Sequence, residues 1–148
     1  MSPVAQVSDI APAELTTAEL CGLYASVGWT SYTDDPARLR AAIDGSTWVS
    51  TIRVDNVLVG LVRVVSDDVS VAYVQDILVH PDHQRKGLGR RLLETALERF
   101  GHVRQKVLLT DDRPEQLAFY RSMGFSNTRE LTRTRLNAFV RIEGATLG

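Results

Sequence analysis

Cysteine is nearly absent: Cys21 stands alone in 148 residues, so no internal disulfide can form and no Cys/His set has zinc-ligand spacing. Lysine is confined to Lys86 and Lys106, and histidine to His80, His83 and His102. No charge of one sign dominates. Seventeen basic against eighteen acidic side chains leave a net charge of −1, whereas a general nucleic-acid binder carries a basic excess. The longest apolar runs, such as Val57–Val62, are far short of a membrane span. The first residues lack the basic start and apolar stretch of a signal peptide. These absences lead one to expect a cytoplasmic chain with no metal, no nucleic-acid partner and no membrane partner.

What remains is ordinary globular material, 44% hydrophobic and 24% charged. The length suits a single domain spanning residues 1–148, and no repeat or linker interrupts it. A short opening strand is expected around Val4–Val7. Thr16-Thr17-Ala18-Glu19 reads as a capping box for a helix that Gly28 ends. Asp35-Pro36 supplies an N-cap and a first-turn proline for a second helix, stopping near Asp44-Gly45. From Thr47 the period changes to that of strands. Trp48–Val54, Val57–Val65 and Val69–Val79, separated by Asp55-Asn56 and Asp67-Asp68 turns, predict an antiparallel meander. An amphipathic helix over Gly87–Phe100 leads to a short strand, Lys106–Leu109. This strand–helix–strand passage makes Val69–Val79 and Lys106–Leu109 parallel neighbours. Pro114 opens a further helix to about Met123, and two more strands are expected between Phe125 and Ile142. The fold class is α/β, a mixed and mostly antiparallel sheet of about seven strands with helices on both faces.

The most informative stretch is Gln84-Arg85-Lys86-Gly87-Leu88-Gly89, set between a strand and an amphipathic helix. Glycines let the backbone turn tightly, and the helix start adds unpaired amides and a positive dipole end. Arg85, Lys86, Arg90 and Arg91 add positive charge. These features specify a phosphate or pyrophosphate site. The turn is neither a Walker A loop nor the three-glycine dinucleotide fingerprint.

Val79 through Leu93, which contains His80-Pro81 and the Gln84–Gly89 turn, closely resembles the signature of the GNAT superfamily of N-acetyltransferases. Ala118-Phe119-Tyr120-Arg121-Ser122-Met123-Gly124-Phe125 is similar to that family's Phe-Tyr-x-x-x-Gly-Phe segment. The resemblance implies an acetyl-CoA co-substrate whose pyrophosphate is cradled by Gln84, Arg85, Lys86, Gly87, Leu88, Gly89 and Arg90. It also implies that the backbone of Ile77, Leu78 and Val79 pairs with the pantetheine arm, and that Tyr120 protonates the departing thiolate. The proton on the amine needs another route. By alternation Tyr73, Gln75 and Ile77 share one face of their strand, where some relatives carry Glu or His. Asp76 is the only carboxylate there. It is either a base re-aimed by a bulge or a buried structural acid. A water relay through Tyr73 and Gln75 is the working expectation.

Acceptor choice in this superfamily is set largely by the loop between the first two helices and by the C-terminal strands. Here Trp29 and Tyr32, followed by Asp34 and Asp35, suit a cationic amine, and Phe139 could add an apolar wall. The reading is an acetyl-CoA-dependent N-acetyltransferase with a small-molecule amine acceptor. Its alternatives are a protein or peptide N-acetyltransferase and a non-catalytic acetyl-CoA sensor. A homodimer, with tail strands paired between subunits, is compatible with the sequence.

Overall fold

A computed structural model of the chain describes residues 5–148. They form two compact units, one ending at Leu109 and the other covering Thr110–Gly148.

In the first unit, β1 (Gln6–Asp9), β2 (Trp48–Val54), β3 (Val57–Ser66), β4 (Val71–Val79) and β5 (Gln105–Leu108) lie in chain order across one sheet. The first four pair antiparallel, and β5 runs parallel to β4. The opening strand begins at Gln6, and the expected Val4 lies outside the described residues. Before the meander come α1 (Thr17–Ser26), α2 (Thr30–Thr33) and α3 (Pro36–Asp44), while α4 (Leu88–Arg99) connects β4 to β5.

Local chemistry sets the helix ends. The Thr16 hydroxyl accepts from the Glu19 N–H at 3.1 Å while the Glu19 carboxylate accepts from the Thr16 N–H at 2.7 Å. Asp35 caps α3 by accepting from the Arg38 N–H at 3.2 Å, and Pro36 fills the first turn, where no amide hydrogen is needed. The four-residue α2 replaces the loop expected there, because a single turn is too short to display a helical period.

Register assigns the two faces of the sheet. Val49, Leu61 and Leu78 pack with Leu20, Leu23 and Tyr24 of α1 and with Leu39 and Ile43 of α3. The alternate residues face α4. Trp48 meets Phe100 edge-on at 5.9 Å, and Gly60 lies against Leu92. Each such large side chain contributes about 1.5–3 kcal/mol when fully buried. The mixed sheet with helices on both faces is therefore present.

The strand count differs from expectation: the described residues contain five strands, not about seven. In the second unit α5 (Pro114–Ser122) ends at Gly124 (φ +89°), but Phe125–Ile142 forms only one 3₁₀ turn, Thr128–Glu130, and extended coil. A strand needs a paired edge and a covered face. No other strand occurs within Thr110–Gly148, and Leu136 and Phe139 stay exposed, Phe139 at 93%.

At Gly60 a side chain of α4 lies close against the sheet. A Cβ there would lie 3.2 Å from Leu92 Cδ1 and 3.4 Å from Ile52 Cβ. Gly60→Val should therefore lower the unfolding free energy by about 1–3 kcal/mol through overpacking. Urea denaturation would show this as a lower midpoint at constant slope. An unchanged midpoint would mean that α4 yields without cost.

Candidate functional site

The Gly-rich turn follows β4 after a single 3₁₀ turn, Pro81–His83. Two residues adopt left-handed backbone, Arg85 (φ +63°) and Gly87 (φ +76°). For Arg85 that conformation is unfavourable and has to be held by its surroundings. One support is visible: the Gln84 side-chain amide donates to the Val79 carbonyl at 2.9 Å and ties the turn to the strand end. Gly87 is the N-cap of α4, and no side chain caps it. A Cβ placed on Gly87 or Gly89 would meet nothing within 4 Å, so open space lies before the first turn. Buried Leu88 anchors the helix start, while Arg85 and Lys86 are exposed. Exposed cations, helix-start amides and free space fit an anionic phosphate group.

Next to this turn the sheet opens. β4 pairs with β5 only from Val71 to Val74, opposite Gln105–Leu108. Beyond Leu108 the outer edge of Gln75–Val79 has no strand beside it among the described residues of the first unit. The His80 N–H donates to the Val59 carbonyl of β3 at 2.7 Å. Backbone groups alternate along a strand, so Leu78 and Asp76 also turn theirs toward β3. Ile77 and Val79 turn theirs toward the open edge, where the Val79 carbonyl meets Gln84.

The parting of the strands coincides with a β-bulge. Arg63 pairs with Asp76, but the next residue, Val64, pairs with Val74, which leaves Gln75 as the extra residue. The expectation that Tyr73, Gln75 and Ile77 share a face is corrected by this bulge. Tyr73 and Asp76 now lie on the α1 side, Ile77 lies on the α4 side, and Gln75 is exposed.

Asp76 is buried and accepts from three donors. Arg63 Nε reaches Oδ2 at 2.5 Å, the Tyr24 hydroxyl reaches Oδ2 at 2.9 Å, and the Tyr32 hydroxyl reaches Oδ1 at 3.0 Å. Arg63 also donates to the Tyr32 hydroxyl at 3.1 Å and to Ser46 Oγ at 3.4 Å. Burial, and then the charge of Asp76, push the Tyr32 phenol above its ordinary range. Tyr73 is raised by burial, then by Asp76 and Tyr32. Both phenols therefore remain protonated at neutral pH, and that of Tyr32 donates to Asp76.

Sequence reasoning overlooked Arg63 and Tyr24. A signal for Arg63 exists: one cation within the apolar run Val57–Val65 must find an anion once the strand is buried. Trp29 and Tyr32 do stand together, half-buried at 6.3 Å, with Trp29 5.8 Å from Tyr24. Gln75 lies beside the Tyr32 hydroxyl, which brings the α2 turn to the bulge. Asp34 is exposed and Asp35 is engaged as the α3 cap. Within the second unit, Tyr120 is buried between Phe119 (5.0 Å) and Phe125 (6.1 Å). Burial, and then the negative charge of Asp111, push its phenol up to about 12. Among the described residues no group of three His, Cys, Asp or Glu side chains could hold a metal, and no helix is long and apolar enough to cross a membrane.

Comparison with known proteins follows the same lines. Residues 14–125 match the acetyltransferase (GNAT) family profile. A GNAT-family acetyltransferase of Streptococcus pneumoniae superposes with a TM-score of 0.77 at 28% identity, over 96% of this chain and 100% of that one. The mycothiol acetyltransferase of Kineococcus radiotolerans is 34% identical over 72% of this chain and 36% of its own. An uncharacterized N-acetyltransferase of Pyropia yezoensis is 28% identical over 72% of this chain and 63% of its own. The matched stretches span 36% to 63% of the lengths of the curated relatives. With the Gly-rich turn, the bulged β4 and a family match over most of its length, the chain belongs to the acetyltransferase (GNAT) family.

Proposed function

We propose that the chain transfers an acetyl group from acetyl-CoA to an amine of a small molecule by direct attack in a ternary complex. The observation that carries this reading is that β4, having left β5 after Val74, runs on with an open edge to Val79 and then into the Gly-rich turn. An anion site and an open strand edge then lie end to end, as a long acyl carrier with a pyrophosphate requires. One relative, the mycothiol acetyltransferase, is named for a small molecule, which supports a small-molecule acceptor here.

When bound, acetyl-CoA supplies an activated thioester. The amides and cations of Gln84–Arg90 hold its pyrophosphate. The backbone of Ile77–Val79 pairs with its pantetheine arm, with Ile77 and Val79 facing the open edge. An amide there donates to the thioester carbonyl and binds more strongly as negative charge grows on that oxygen, which is the condition for rate acceleration. The acceptor must lose a proton before its nitrogen attacks. Water ordered by the exposed Gln75 and the Tyr73 phenol takes that proton, while Asp76 stays engaged by its three donors. The C–N bond forms as the C–S bond breaks, and the family resemblance assigns to Tyr120 the proton that the departing thiolate takes up. A phenol pushed up to about 12 is fully protonated at neutral pH, as an acid must be.

Acetyl-CoA should raise the melting temperature of the protein as its concentration passes the dissociation constant, whereas ATP and NAD should not. Gly89→Glu, which puts a carboxylate into the open space before the helix, should abolish that shift. A shift retained in the variant would displace the site from the turn.

Tyr120→Phe should lower kcat by about tenfold or more while leaving acetyl-CoA affinity within about twofold. Equal turnover would make Tyr120 a purely structural residue.

The same phenol provides a pH test. Its folded form ionises near 12 and an unfolded tyrosine near 10, so its contribution to stability is complete below pH 10 and is lost between about 10 and 12. Absorbance at 295 nm, wild type minus Tyr120→Phe, should titrate with a midpoint of about 12. A midpoint near 10 would show that the ring is not buried in solution.

A further inference from the structure

Helix α2 has little to hold it in place. It is one turn of four residues, Thr30–Thr33, entered through Gly28 (φ +78°), and its N-cap position, Trp29, provides no side-chain cap. An isolated turn of this length is unstable in water. Its internal bonds are few: the Tyr32 N–H donates to the Trp29 carbonyl at 3.2 Å and the Asp34 N–H to the Thr30 carbonyl at 2.8 Å. Trp29 and Tyr32 both pack it against the α1 core, and Tyr32 also ties it to β3 and β4. The Tyr32 ring packs edge-on against Tyr24 at 4.9 Å, and its hydroxyl donates to Asp76 while accepting from Arg63. The Thr33 hydroxyl, by contrast, bonds only back to the Thr30 carbonyl within α2.

The carboxylate at the other end of this contact is at a critical position. Asp76 follows the bulge residue Gln75 and precedes Ile77, whose backbone faces the open edge of β4. We propose that the Tyr32 hydroxyl is a positioning group that locks α2 onto the bulge of β4 through Asp76 and Arg63, and so sets where the acceptor amine sits relative to the thioester. This inference rests on the acetyltransferase reading of the same site. It also gives Tyr32 a different role from direct contact with the acceptor through its hydroxyl: that hydroxyl already donates to Asp76 and accepts from Arg63, with Gln75 beside it.

Tyr24 is the natural control. Its hydroxyl bonds to the same carboxylate at 2.9 Å, but the residue belongs to the ten-residue α1 and is wholly buried in the core. Losing that hydroxyl removes a hydrogen bond of the same kind without releasing α2. A role limited to stability predicts similar behaviour for Tyr24→Phe and Tyr32→Phe; a positioning role predicts different behaviour.

The experiment compares wild type, Tyr32→Phe and Tyr24→Phe. Steady-state kinetics would use acetyl-CoA with whichever of tyramine, spermidine or alanyl-alanine is acetylated fastest, together with melting temperatures and amide hydrogen exchange over residues 30–35. Tyr32→Phe should raise the acceptor KM by about tenfold or more through misplacement of the turn. The acetyl-CoA KM should stay within about twofold, and the amides of α2 should exchange faster by about tenfold. Tyr24→Phe should lower the melting temperature without either change. Identical kinetics and exchange in the two variants would overturn the proposal, as would faster exchange in Tyr32→Phe at an unchanged acceptor KM. If the wild type acetylates none of the amines although acetyl-CoA stabilises it, the catalytic reading fails by that result. The exchange data then still decide the lock: unaltered exchange in Tyr32→Phe overturns it, and accelerated exchange upholds it as a structural contact alone.

Discussion

The buried ion pair between Arg63 and Asp76 is the constraint around which the rest of the site is organised. Two charges taken out of water are costly unless each finds several hydrogen-bonding partners. Here the carboxylate has Tyr24 and Tyr32 in addition to the guanidinium, and the guanidinium reaches Tyr32 and Ser46. Removing one member would leave a charge stranded, a loss on the order of 3–5 kcal/mol. The pair therefore fixes the mutual positions of β3, β4, α1 and α2 more narrowly than apolar packing alone would.

That constraint extends to the backbone. Arg63 and Asp76 stand opposite each other at the register shift where Gln75 is left over. A bulge bends and twists its strand, and β4 loses its parallel neighbour immediately past that point. The Ile77 and Val79 backbone is thereby left facing outward instead of being used in the sheet ladder. The same strand then runs into the Gly-rich turn, where Gln84 holds the Val79 carbonyl and α4 begins without a side-chain cap. Ion pair, bulge, open edge and Gly-rich turn thus follow one another, from Arg63 across to Asp76 and on to Gly89.

Much of this was legible in the sequence. The capping box at Thr16 and the Asp35-Pro36 start of α3 depend on contacts within a few residues, the meander and the strand–helix–strand passage on the hydrophobic period and turn residues of successive segments, and all are present. The turn at Gln84–Gly89 and the Phe119-Tyr120 segment are local motifs and were visible for the same reason. Less legible were the pieces that depend on distant partners. Alternation alone put Asp76 on the wrong face, because one extra residue reverses every later side chain and no local pattern marks Gln75 as that residue. The tail reads as strands from its β-forming residues, yet a strand exists only beside another strand. Within Thr110–Gly148 none is available.

By itself the sequence determined the kind of protein: an α/β chain that carries two motifs of the GNAT family, the Gln84–Gly89 turn and the Phe119-Tyr120 segment. Those properties follow from hydrophobic period, glycine placement and short motifs, which act over one or two turns of chain. Only the tertiary structure decided what Asp76 does, where the bulge falls and which tyrosines meet. The reason is physical: Asp76 lies 13 residues from Arg63, 44 from Tyr32 and 52 from Tyr24. A carboxylate's role is set by the groups that fold around it, and groups so distant in the chain meet only when the sheet and its helices close over them.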